Sequence, residues 1–125
     1  MLPILLLAQR FGGIPSGMSW KQVNTNAGKV VFPAGMDSVA NRIATVTDYL
    51  HQYHQGTVGK LHQPISIVLQ RDLNFSNAYV GLGPWRSEFY MMQPQNPFIL
   101  GSLSWADLLA VHEFRHVQQF SNYNV

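Results

Sequence analysis

The chain has 125 residues, 46% hydrophobic and only 11% charged, enough to close one core over about 65% of the unfolded surface and too apolar for intrinsic disorder. Its net charge of +2 is unclustered, which argues against a nucleic-acid partner, and no apolar run approaches the ~18 residues of a membrane span. Zero cysteines exclude a disulfide scaffold, thiolate metal sites and a cysteine nucleophile.

Met1–Ala8 is a short apolar run ending in a small residue. It reads either as the tail of a secretory signal lacking its basic start or as an N-terminal strand. Residues 9–22, with Gly12-Gly13, Pro15 and Gly17, continue an irregular lead-in, so the expected division is a lead-in over 1–22 and a domain over 23–125. Val23–Pro33 centres on Asn26-Ala27-Gly28, turn chemistry between β-prone runs, and predicts a strand or loose hairpin.

Gly35 and Asp37 open a helix whose stripe is Val39, Ile43, Val46, Leu50 and Tyr53, with Gly56 placed to end it. Ile65, Ile67 and Leu69 alternate with Ser66 and Gln70, a strand with one buried face. Ala78–Pro84 is broken by Gly81, Gly83 and Pro84, which suits an edge strand. Ser87–Met92 is a further strand before Pro94 and Pro97. Ser104 then caps a helix from Trp105 to about Phe120, with Asp107 beside its first N–H groups. The order predicts an α+β fold: a mixed or antiparallel sheet with an edge strand, one amphipathic helix and a C-terminal helix.

The C-terminal helix carries the chemistry. It contains His112-Glu113-Phe114-Arg115-His116, that is His-Glu-x-x-His. Residues four apart share a helix face, so His112 and His116 can offer two imidazoles to one ion. Glu113 lies about 100° around the helix. Its carboxylate therefore stands beside a metal, where it can take a proton from activated water and pass it to a leaving amine. Two imidazoles with a glutamate base make Zn2+ the leading ion. A plainer reading makes the histidines satisfied helix residues, and another keeps the motif without catalysis. Arg115 projects to another side, to pair with Glu88 or Asp107 or to lie solvated.

These residues resemble the zincin metallopeptidases, and within them the gluzincin branch. The run His112–Gln119 is similar to small bacterial members reading His-Glu-Leu-x-His-Val-x-Gln, and Phe98–Gly101 with Leu108-Leu109 also looks like an exported bacterial peptidase domain. The likeness is specific over 98–122 and architectural over 23–97. It implies a zincin-like N-terminal subdomain, His112 and His116 as zinc ligands, Glu113 as catalytic base, and an exported, periplasmic or cell-surface setting. It also implies that the edge strand within Ala78–Met92, at Tyr79, Val80, Gly81 and Leu82, pairs with a peptide or protein substrate by strand addition.

A catalytic zinc holds three protein ligands and a water. Gluzincins take the third from a glutamate on a later helix, whereas Val117–Val125 contains no Glu, Asp or His, and Asn122 stands where a metzincin has its third histidine. His51, His54, His62, Asp72 and Glu88 are upstream alternatives, each more ordinary as a solvated or core-edge residue. The sequence is therefore expected to be the N-terminal part of a longer peptidase, alone binding zinc weakly through two histidines with little or no peptidase activity, and self-associating through an apolar face of the last helix. The alternatives are a non-catalytic zincin-like module that holds a peptide or protein, and a small structural domain with adventitious metal.

Overall fold

The computed structural model describes residues 17–53, 58–71, 76–82, 84–92 and 104–123. The segment Met1–Ala8, the Gly56 stop, Gly83, Pro94, Pro97, Phe98–Gly101, His54 and Asp72 lie outside the described residues.

The first element begins earlier than the sequence suggests. Strand β1 spans Trp20–Thr25 and β2 spans Gly28–Pro33. The expected lead-in over 1–22 is thus corrected at its end: Trp20-Lys21-Gln22 pair with Val31–Pro33. Edge strands carry polar residues because one side needs no apolar neighbour, so Lys21 and Gln22 hid this one. The hairpin is tight rather than loose, its loop being Asn26-Ala27 between the paired Thr25 and Gly28. Gly28 has φ 148°, and a Cβ there would run into the Ile65 backbone. Glycine therefore permits the close approach of β2 to its next neighbour.

Helix α1 spans Asp37–Tyr53, β3 Ile65–Gln70, β4 Ser76–Leu82, β5 Trp85–Met91 and α2 Trp105–Tyr123. The five strands form one mixed sheet in the order β1-β2-β3-β5-β4. Its centre, β2-β3-β5, is parallel, and antiparallel hairpin partners β1 and β4 flank it. The α+β class with a mixed sheet is the one observed, and β4 is an edge strand.

Val30, Phe32, Ile65, Ile67, Leu69 and Phe89 face inward from the sheet and share one core with Ala40, Ile43 and Ala44 of α1 and Leu109, Ala110, Phe114 and Val117 of α2. Period-2 apolar residues on the strands and period-3.6 stripes on the helices make that single layer contact. Helix α1 lies against β1 and β2, and α2 lies against β4 and β5. Burying one methylene contributes about 0.8 kcal/mol, so Phe89, Phe114 and Ile43, all under 2% exposed, are main contributors to stability. Among the described residues no helix is long and apolar enough to cross a membrane.

Candidate functional site

Helix α2 is held at several points along its length. The Asp107 N–H donates to Ser104 Oγ (3.2 Å), the expected cap. The Asp107 carboxylate turns to Arg42 of α1, accepting Nε at 2.9 Å and Nη2 at 3.1 Å. That guanidinium holds the carboxyl below the usual carboxylate range. Trp105 Nε1 donates to Tyr90 O (3.1 Å), and Gln118 Nε2 to Leu50 O (3.3 Å). At the far end Asn122 brackets Leu61, accepting its N–H at 3.1 Å and donating to its carbonyl at 3.0 Å. The helix also runs to Tyr123, three residues beyond the expected end.

On this anchored rod His112 and His116 face each other, Nε2 to Nε2 at 3.3 Å, ring centroids 5.0 Å apart. Glu113 is 6% exposed and lines the same groove. Desolvation pushes its carboxyl up, while the charges of His112 and then His116 pull it down. Among the described residues no hydrogen bond reaches that carboxylate. His116 is braced on two sides: Nδ1 lies 3.1 Å from Gln119 Oε1, and its ring stacks on Phe120 at 6.2 Å and 23°. Trp85 of β5 meets Phe120 edge-on.

The open groove, about 330 Å³, runs between α2 and the edge strand β4, lined by Asn77, Ala78, Tyr79 and Val80 together with His112, Glu113, His116 and Phe120. Of the four strand residues expected to meet substrate, Tyr79 and Val80 border the groove, whereas Gly81 and Leu82 are not among its lining. Tyr79 borders it from the strand while its hydroxyl is turned to the other sheet face. There it donates to Glu88 Oε2 (2.6 Å), opposite it in register. A Cβ at Gly81 would meet only ordinary van der Waals contacts within the chain, nearest Pro84 O at 3.5 Å.

The described upstream candidates for a third ligand, His51, His62 and Glu88, separate from the pair. Glu88 also accepts Tyr90 Oη (2.9 Å) and lies 3.3 Å from Arg86 Nε. Burial foremost, then Glu88, pushes the Tyr90 hydroxyl up to about 12. Tyr79, Arg86, Glu88 and Tyr90 alternate with the inward residues Ser87 and Phe89, so this cluster is on the sheet face away from the helices. His62 Nε2 donates to Ala27 O (2.8 Å), and its ring lies tilted against those of His51 (centroids 4.1 Å) and Phe114 (6.0 Å). Burial lowers the His62 imidazole's proton affinity. Among the described residues no group of three His, Asp or Glu could hold a metal ion.

Arg115 is exposed, its Nη1 3.5 Å from Gln118 Oε1, while Asp107 and Glu88 are taken by Arg42 and Arg86. Of the two charge-pair alternatives for it, neither is formed. On α2 the exposed large apolar side chains among the described residues are Val111 and Tyr123. Sequence reasoning passed over Gln119 and Phe120, although their i+3 and i+4 spacing from His116 was a usable signal.

Comparison of the chain with family models, with curated proteins and with solved structures finds no match.

Proposed function

We propose that this protein is a zinc-dependent metallopeptidase whose metal is held in part by His112 and His116, with Glu113 as the proton-transferring base. One observation carries the reading. Two nitrogens each about 2.05 Å from a tetrahedral zinc stand about 3.3–3.4 Å apart, and the two Nε2 atoms are 3.3 Å apart before any ion is considered. The separation matches that of two ligands on one tetrahedral ion. A bound zinc supplies Lewis acidity and a water that ionises near neutral pH.

The chain's own groups supply the rest. Burial raises the proton affinity of Glu113 while the charges of His112 and His116 oppose that rise, and a carboxylate beside an activated water can take its proton and release it to the departing amine. Strand β4, the sheet's edge among the described residues, lies alongside, where an extended peptide can add as a further strand. The reading requires a third ligand from outside the described residues. That requirement is also the observation favouring the second reading, a zincin-like module that binds a peptide or protein on the same edge without cleaving it.

The test is metal analysis and hydrolysis of a quenched-fluorescent peptide library by the full-length natural protein. Glu113→Gln is expected to keep its zinc and lose hydrolysis by about 10²–10⁴-fold, the usual contribution of a general base. His116→Ala is expected to lose both. Hydrolysis persisting in Glu113→Gln would discard the assigned base, and zinc with peptide binding but no cleavage in wild type selects the module.

A further inference from the structure

Two adjacent glutamines on α2 are used in different ways. Gln118 is buried and crosses to α1, donating to Leu50 O. Gln119 is only partly buried, and its Oε1 lies 3.1 Å from His116 Nδ1. A glutamine carbonyl oxygen can only accept. The contact therefore calls for a proton on His116 Nδ1, which leaves Nε2 as a bare lone pair. That nitrogen is the one facing His112. The Phe120 ring lies near-parallel to the same ring, centroids 6.2 Å apart. For His112, by contrast, no partner reaches Nδ1 among the described residues, and the side chain is exposed.

We infer that Gln119 is a positioning residue that fixes the tautomer and orientation of His116, so that the two histidines are unequal: His116 preset with Nε2 unprotonated, His112 adjustable. In the metal-free protein His112 Nε2–H then donates to His116 Nε2 across the 3.3 Å gap. When an ion binds, only His112 has to shift its proton to Nδ1, where solvent accepts it. A ligand histidine whose other nitrogen is held by an acceptor is the common arrangement at metal sites, and losing that acceptor weakens metal affinity about 10–100-fold. The inference rests on the metal reading for its consequence, and on the side-chain geometry alone for its structural content.

Two measurements on the full chain separate these. Long-range ¹H–¹⁵N NMR of the metal-free protein at pH 8 reads the tautomers directly. Wild type is expected to show His116 as the Nδ1–H form and His112 as the Nε2–H form, and Gln119→Leu is expected to show a His116 mixture. Zinc competition against a chromophoric chelator is expected to weaken about 10–100-fold in Gln119→Leu and to return to within about threefold of wild type in Gln119→Glu, which restores an acceptor. An unchanged His116 tautomer in Gln119→Leu would overturn the inference, as would a Leu variant with wild-type zinc affinity. If wild type bound zinc no better than His116→Ala, the metal reading would fall, and the tautomer experiment would still decide the role of Gln119.

Discussion

The two helices pack side by side on one sheet face, yet they bury different things. Helix α1 buries Ala40, Ile43, Ala44 and Thr47, and its one polar member satisfies itself locally, Thr47 Oγ1 donating to Ile43 O at 2.9 Å. Helix α2 buries Leu109, Ala110, Phe114 and Val117 in the same fashion, but adds Glu113 and Gln118. Gln118 has its partner in Leu50 O. Glu113 is a desolvated carboxylate beside two imidazoles. Partial removal of a carboxylate from water disfavours its charged form, a cost that the apolar positions of the two helices do not carry. Natural sequences break local rules mainly at functional sites. The comparison therefore sets a helix whose buried polar group is a self-satisfied hydroxyl beside one that carries a desolvated carboxylate next to two imidazoles.

The largest effect expected from breaking this contrast is in what the helices share. Phe114→Ala should cost about 3–5 kcal/mol and Ile43→Ala about 2–5 kcal/mol in urea unfolding, because both side chains are fully buried. A loss under about 1 kcal/mol at either would mean that the helix is not docked as described. A smaller, sign-dependent effect sharpens the difference. Glu113→Gln removes a disfavoured charge and should raise the thermal midpoint at pH 8. Thr47→Val on α1 should change stability by no more than about 1 kcal/mol, since only one self-satisfied hydroxyl is lost.

The smallest effect lies between the helices, at His62, which touches His51 of α1 and Phe114 of α2. Burial holds its folded-state pKa below the ordinary imidazole value of about 6.5. The unfolded chain therefore takes up a proton at higher pH than the folded one does. The His62 contribution is fully present above about pH 6.5 and is lost as pH falls from there through the folded-state value. The thermal midpoint should drop between pH 7 and pH 5, and His62→Gln, which keeps a donor toward Ala27 O, should flatten that drop. An equally steep profile in the Gln variant would assign the acid sensitivity to another group.

Much of the architecture was legible because its signals are local. The stripe Val39, Ile43, Val46, Leu50, the alternation Ile65, Ile67, Leu69 and the Ser104 cap each act within one or two turns, or one strand. Trp20–Gln22 was missed because an edge strand carries little apolar pattern. The pairing of β3 with β2 and β5, both parallel, had no local marker at all, since register between distant segments is set by the shared core. Gln119 was overlooked because its meaning depends on which imidazole nitrogen faces inward, a matter of rotamer and packing.

By itself, then, the sequence determined that two imidazoles four residues apart share one face of a capped helix with a carboxylate beside them, since helical geometry follows from backbone stereochemistry alone. Only the tertiary structure decided what surrounds them. It set β4 rather than β1 alongside α2, turned Glu88 to the far sheet face, buried Glu113 and left His112 open. Those outcomes depend on contacts between residues tens of positions apart, whose energies are realised only once the sheet and both helices close on one core.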